Sequence, residues 1–300
     1  NYTMDVNQVG WTANDGHYEK EESATGWIPS EKVRLFCNES GIRFEFPIHE
    51  LVEPSLKKAG IELKKCSIPV HHYGKLNKEK SNKKLEIYYQ IGRKKLEQTG
   101  GNAVAIRELA IQAEIIGKHD EAIEFWERFI AIEPNEPNAY INMGISYCSL
   151  GKYGGVVETA KKAMRLEPDL KEAHYNYALG KLHLGCVGEA VSTLEKLLER
   201  LDKYPPAQFL LTAAHCCEGE KERGINELKE LQKSSIGPGL PIRCHELAKG
   251  LVCSHRYDYA ILLLEAAIDS KNSNKDVLEL YSQCLDLMNV NKKTGTMGDL

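Results

Sequence analysis

The chain has 300 residues, 42% of them hydrophobic and 27% charged, and a formal net charge of −4. That length allows two domains, the composition is ordinary for a globular protein, and the slight acidity gives no reason to expect a nucleic-acid surface. No apolar run approaches the ~20 residues that span a bilayer and no secretory leader opens the chain, so no membrane span is expected. Nine cysteines, an odd number, form no Cys-x-x-Cys pair and have no histidine at zinc spacing. They read as reduced thiols of a cytoplasmic protein. Cys216 and Cys217 are adjacent and cannot share one buried helix face, so one of them is expected at the surface.

In chain order, Val33, Leu35 and Phe36 form a short apolar run, and Ile42, Phe44 and Phe46 alternate in strand fashion until Pro47. Leu51, Ser55, Leu56 and Ala59 predict a short helix or turn stopped by Gly60. Ile61 and Leu63, then Ile68, Val70 and His72, suggest one or two further strands. Leu85, Ile87, Tyr88, Ile91 and Leu96 carry a helix from about Lys78 to Glu97, ended by Thr99, Gly100 and Gly101. Lys75, Lys78, Lys80, Lys83, Lys84, Arg93, Lys94 and Lys95 are a local basic excess: a solvated helix face, or attraction to an acidic partner or to membrane headgroups. About 75 residues of short strands make a poor independent core. Residues 1–98 therefore read as the C-terminal segment of a larger α/β domain.

Arg34, Leu35 and Phe36, then Ile42, Arg43 and Phe44, then Ile48, His49 and Glu50, then His71, His72, Tyr73 and Gly74 follow one another in that order. The succession resembles the last third of the catalytic domain of family 2 glycosyltransferases, inverting nucleotide-sugar enzymes of the GT-A fold. It covers roughly Asn1 to Leu96. The resemblance implies sugar transfer from a nucleotide donor, with Mn²⁺ or Mg²⁺ neutralising the leaving diphosphate. It makes His49 the candidate metal ligand and Arg34, Glu50 and His72 candidates on the donor side. Imidazole favours Mn²⁺. For Arg34, Glu50, His49 and His72 a purely structural role stands equally open, and His71 and His72 alternate faces, so only one can point into a site. The acceptor base would be an Asp or Glu, with Asp5, Asp15 and Glu19 available in a Tyr-, Trp-, Asn- and Gly-rich stretch suited to an acceptor-facing loop. The Asp-x-Asp motif and the donor-binding half are missing, and the chain begins with Asn. The expectation is a fragment that is inactive alone, binds no metal by itself, and takes nucleotide sugar only with the missing half.

From Ala103 onwards the pattern repeats. Ala122, Val156, Ala190 and Gly224 follow at intervals of 34 residues and Ala260 at 36. Gly117, Gly151, Gly185 and Gly219 precede four of them by five residues, and Pro134 and Pro168 follow two of them by twelve. In the second copy Tyr140, Met143, Gly144 and Tyr147 make a buried stripe, with Val156 expected opposite Gly144. This period and residue order resemble the tetratricopeptide repeat. The fold class implied is mainly α: an α-solenoid of five hairpins (103–136, 137–170, 171–204, 205–238 and 241–274), with a capping helix at 276–290 and the small α/β segment in front. Gly224 in place of Ala costs about 1 kcal/mol inside a helix. Ser234 to Leu240 reads as a loop that adds two residues to the period.

Stacked hairpins of this kind line a groove with their first helices, where a protein or peptide partner is expected. Asn142 and Asn176 share one repeat position there and resemble the asparagine ladder of protein O-linked N-acetylglucosamine transferases. Amides can grip a peptide backbone, since each donates and accepts. The other copies carry Glu108, Leu210 and Glu246, so two plain helix-surface amides are the competing reading. Lys181 alone makes no basic clamp for acidic chaperone tails. Two functions follow: part of a glycosyltransferase whose repeats recruit an acceptor or partner, or a non-enzymatic interaction scaffold.

Overall fold

The computed structural model describes residues 2–3, 12–14, 26–33, 35–44, 51–66, 78–98, 101–201 and 203–294. The chain divides into two compact units, Asn1–Lys95 and Leu96–Leu300.

In the first unit, β1 (Tyr2–Thr3), β2 (Thr12–Ala13) and β3 (Gly26–Trp27) pair antiparallel in the order β1-β3-β2, with Tyr2 and Thr12 both opposite Trp27. These strands fall in the stretch read as an acceptor loop. Ile42–Phe44 and Ile61–Leu63, expected as strands, are irregular instead. Short apolar runs without a neighbour to complete their hydrogen bonds do not become strands. Helix α1 (Glu53–Lys58) is held by Ser55, whose Oγ donates to the Arg43 and Val52 carbonyls at 2.8 and 2.9 Å and accepts from Arg43 N. Glu53 accepts from Val33 N at 3.0 Å, and that bond holds its carboxyl below the usual range. Gly60, at φ +73°, follows the helix end. Helix α2 spans Lys78–Gln98; within the first unit Val52, Leu56 and Tyr89 are buried.

The second unit is built of antiparallel helix pairs: α3 (Ala103–Ile115) with α4 (His119–Ile132), α5 (Pro137–Ser149) with α6 (Tyr153–Leu166), α7 (Lys171–His183) with α8 (Val187–Arg200), α9 (Pro205–Cys217) with α10 (Lys221–Gln232), and α11 (Leu240–Cys253) with α12 (Tyr257–Asp269). Helix α13 (Lys275–Thr294) follows. Ala122, Val156, Ala190, Gly224 and Ala260, the small residues of the repeat, are all buried. Gly117, Gly151, Gly185 and Gly219 take φ between +68° and +88°, which lets each first helix end and the chain reverse. Tyr140 and His174, one repeat apart, each reach back to the carbonyl of the preceding turn proline, at 3.1 Å to Pro134 O and 2.7 Å to Pro168 O.

Two local expectations change. Gly144 faces Thr159 rather than Val156: a Cβ there would sit 2.9 Å from Thr159 Oγ1. Val156 and Val157 instead meet Gly180 of the next copy. Gly224 is a fit rather than a defect, since a Cβ would fall on Cys216 Sγ.

The larger change concerns the fifth pair. Helices α3 to α10 stack in sequence, each first helix packing on the pair before it. At the fifth pair α12, not α11, packs against α9 and α10, while α11 packs on α12 and α13. Lys221 on α10 pairs with Glu265 and Asp269 of α12 at 3.2 and 3.0 Å, and Asn272 donates to Leu228 O at 3.4 Å. The cause is the connection. Pairs one to four are joined by four residues (133–136, 167–170, 201–204), whereas 233–239 is seven residues with a 3₁₀ turn at Gly237–Gly239. Gly237 packs so closely on Gln232 O that no side chain fits. The longer link frees α11 from the next stacking position, and α12 takes it.

Candidate functional site

The sequence placed its enzymatic candidates at Asp5, Asp15, Glu19, Arg34, His49, Glu50 and His72, and all seven lie outside the described residues. Among the described residues no three His, Cys, Asp or Glu side chains converge as a metal site, and no helix is long and apolar enough to cross a membrane. The feature that the described residues do build is one face of the repeat helices.

Residues 34 apart on α3, α5, α7 and α9 occupy one position of that face. Ile111 and Ile145 are 39% and 43% exposed, whereas Leu179 is partly buried and Ala213 is 0% exposed. One turn further on, Ile115 is 53% exposed and Ser149 is exposed, whereas His183 and Cys217 are buried. A repeat makes these positions equivalent, so whatever separates them lies outside the repeat. On α9 it is the chain's own α12, and at the end of α7 it is the end of α11 and its turn into α12.

Helix α11 approaches α7 at its two ends. At its start, Arg243 is close enough to Tyr175 to oppose the effect of burial, which pushes the phenol up to about 12. At its end, Gly250 lies against His183, and a Cβ there would come 2.8 Å from His183 Cε1 and 3.4 Å from Tyr153 Oη. A glycine inside a helix costs about 1 kcal/mol against alanine; here it permits the close approach. The His183 ring stacks on Tyr153 at 3.9 Å between centroids and 5° between planes, and its Nδ1 lies 3.1 Å from Ser254 Oγ. Ser254 Oγ already donates to the Gly250 and Leu251 carbonyls, so it accepts from a neutral His183 that carries its proton on Nδ1. Burial lowers the His183 pKa to about 4. Arg256 then caps α7: its Nη2 donates to Leu184 O at 2.7 Å, with the guanidinium packed over Gly185. Around this contact the turns of the second, third and fifth pairs border an open cleft of about 520 Å³, with Lys152, Tyr153, His183, Leu184 and Arg256 in its wall.

Cys216 and Cys217 are both buried, against the expectation that one would be exposed. Helix α9 is covered on two sides, by α10 and by α12, where Cys217 Sγ lies 3.9 Å from Tyr259 O. Burial raises both thiols, Cys216 to about 12. Asn142 and Asn176 are half-buried on α5 and α7, and Asn176 Nδ2 lies 3.6 Å from where a Cβ on Gly144 would stand. The glycine thus leaves room for the amide between neighbouring first helices. Of their equivalents, Leu210 is buried and Glu246 exposed. Sequence reasoning took α11 for an ordinary fifth repeat helix; Gly250 in mid-helix and the longer link before it were the available signals.

No protein-family model matches the sequence, and no curated protein matches it. Solved structures do. A tetratricopeptide repeat protein from Parabacteroides merdae superposes with TM-score 0.51 at 14% identity, over 78% of this chain and 89% of that one. YrrB, described as a tetratricopeptide repeat protein with an unusual peptide-binding site, gives TM-score 0.44 at 16% identity over 63% and 96% of the two chains. TTC0263 from Thermus thermophilus gives 0.43 at 18% over 61% and 99%. The helical pairs therefore share the fold of tetratricopeptide-repeat solenoids, on the strength of the first of these.

Proposed function

We propose that this chain is a protein-interaction scaffold and that its partner binds on the exposed half of the first-helix face, over α3 and α5. The observation that carries the reading is the exposed aliphatic column Ile111 and Ile145, with Val104 and Ile115 beside it; the equivalents of Ile111, Ile145 and Ile115 on α7 and α9 are partly or fully buried. Contiguous apolar surface of this kind marks interaction sites. The repeat fold fits this as an analogy only. Affinity capture from the source with the wild-type chain and with Ile111→Asp plus Ile145→Asp tests it. A specific partner lost in the variant, at unchanged melting temperature, supports the reading; equal capture overturns it. Asn142 and Asn176 are proposed to add backbone contacts to the same partner, so that Asn142→Ala with Asn176→Ala weakens its binding; unchanged affinity removes them.

A second reading rests on the order of motifs between Arg34 and Gly74: part of a nucleotide-sugar glycosyltransferase, with the repeats recruiting its acceptor. Its metal and donor residues, His49, Arg34, Glu50 and His72, would act only beside an Asp-x-Asp half. It expects no turnover from this chain with Mn²⁺ and a nucleotide sugar, and loss of activity of the native protein in His49→Ala. The scaffold reading expects His49→Ala to leave the native function unchanged. Nine cysteines with no Cys-x-x-Cys pair among them suit a reducing compartment, which we assign to the cytoplasm.

A further inference from the structure

Helix α2 carries a second surface, separate from the repeat face. Leu85, Tyr89, Gly92 and Leu96 recur at the i, i+4, i+7, i+11 spacing of one helix face; Tyr89 and Gly92 are buried, and the other two are half-buried. This is the packed side of the helix. The opposite side repeats the same spacing with Lys80, Lys84, Ile87, Ile91 and Lys94. Ile87 is 58% and Ile91 37% exposed, with Lys84 and Lys94 exposed at either end of the pair. No acid falls on this stripe, and over α2 basic residues outnumber acidic ones seven to three in a chain of net charge −4. Among the described residues neither Lys84 nor Lys94 has a carboxylate partner. A helix side made only for solvent would carry polar residues where Ile87 and Ile91 stand.

Two features choose the occupant. The cations on this stripe are lysines, point charges on flexible stems, and not the guanidinium forks that hold a carboxylate in one geometry. The stripe is also the outer, convex side of a single helix, with its charge spread along the axis and its apolar residues in the middle. That pattern suits a surface that is negative, apolar beneath and without fixed shape. We propose that the Lys84, Ile87, Ile91 and Lys94 side of α2 docks the chain on an anionic lipid bilayer, with both isoleucines entering the headgroup boundary and the lysine stems lying along it, their ammonium groups on the lipid phosphates. The contact is at the surface, since no described helix is long and apolar enough to cross a membrane.

The test is flotation of the full chain with vesicles of phosphatidylcholine alone and of phosphatidylcholine with phosphatidylserine. Binding is expected only with phosphatidylserine, and it should fall as salt rises, because exposed charges are screened. Lys84→Glu plus Lys94→Glu should weaken it at least about tenfold, and Ile87→Ser plus Ile91→Ser about tenfold. All four side chains are exposed, so the melting temperature should hold. Should the charge reversal unfold the chain, Lys84→Gln plus Lys94→Gln must show a loss in the same direction. No binding to either vesicle, equal binding to both, or unchanged binding of either pair of variants each overturns the proposal. So does a chain that ignores vesicles but binds poly-glutamate through Lys84 and Lys94, since the face then belongs to an acidic protein. Ile111→Asp plus Ile145→Asp should bind vesicles like the wild type; a loss there would move the lipid contact to the repeat face and overturn the proposal as well.

Discussion

The two halves of the first-helix face have the same repeat positions and opposite fates. On α3 and α5 the residues at these positions are bare; on α7 and α9 their equivalents are covered, at His183 by the end of α11 and on α9 by α12. The difference lies not in the face but in the seven-residue link before α11 and in the glycine that lets α11 settle on His183. A repeat array can thus set how much of its first-helix face stays exposed by packing its own later helices onto the rest.

That contrast can be broken or sharpened by substitution. The largest effect is expected beneath the exposed half, where the surface is bare but the core is not loose. Trp126 is fully buried, edge-to-face with Phe129 at 5.9 Å between centroids. Trp126→Ala should cost about 3–5 kcal/mol in urea denaturation, the usual range for an aromatic truncated in a packed core; a loss under about 1 kcal/mol would mean that the exposed half is poorly packed rather than vacant. On the covered half, Gly250→Leu should cost about 1–3 kcal/mol through overpacking against His183 and Tyr153. Hydrogen exchange should then quicken in α11 while α3 to α6 keep their protection, and uniform loosening would show that the contact with His183 supports the whole array rather than α11 alone.

His183 supplies a pH test of the same contact. Its pKa in the folded chain, about 4, lies below the roughly 6.5 of the unfolded one, so between those values the unfolded state binds more protons. Stability from this group is therefore complete above pH ~6.5 and is lost as pH falls toward 4. From pH 7.5 to 5 the loss should be about 2 kcal/mol, and it should be absent in His183→Gln; an equal acid loss in that variant would assign it to other groups. A smaller gain is expected at His255, which replaces the turn glycine in the fifth pair at φ 60°. His255→Gly should stabilise by up to about 1 kcal/mol, since a side chain is strained there. The smallest effect is on the bare surface: Ile111→Ser and Ile145→Ser should each change stability by less than about 0.5 kcal/mol. A cost like that of a core residue would mean that these side chains already have a partner within the chain.

Much of the helical unit was legible because its signals are local. The 34-residue period, the reversing glycines and the small residue where helices cross all act within one hairpin, and the helix boundaries follow from them. The packing partner of Gly144 was misjudged by one turn, because Thr159 and Val156 lie on neighbouring stripes of α6 and only the crossing geometry chooses between them. The burial of both Cys216 and Cys217 was missed because it needs a second cover on α9, and that cover comes from α12. In the first unit alternating apolar residues suggested strands at Ile42–Phe44 and Ile61–Leu63, but alternation gives only the wish for a partner strand, and none is paired there.

The sequence alone determined the hairpins, their register and the identity of the residues that face one another from repeat to repeat. Those choices are made by hydrogen bonds and side chains a few residues apart, where loop closure costs little. Which half of the face stays bare was decided only by the tertiary structure. That outcome depends on Gly250 meeting His183 across 67 residues of chain and on α12 displacing α11 from the stacking position. Contacts that distant are chosen by the free energy of the whole packed assembly, and no window of sequence contains both partners.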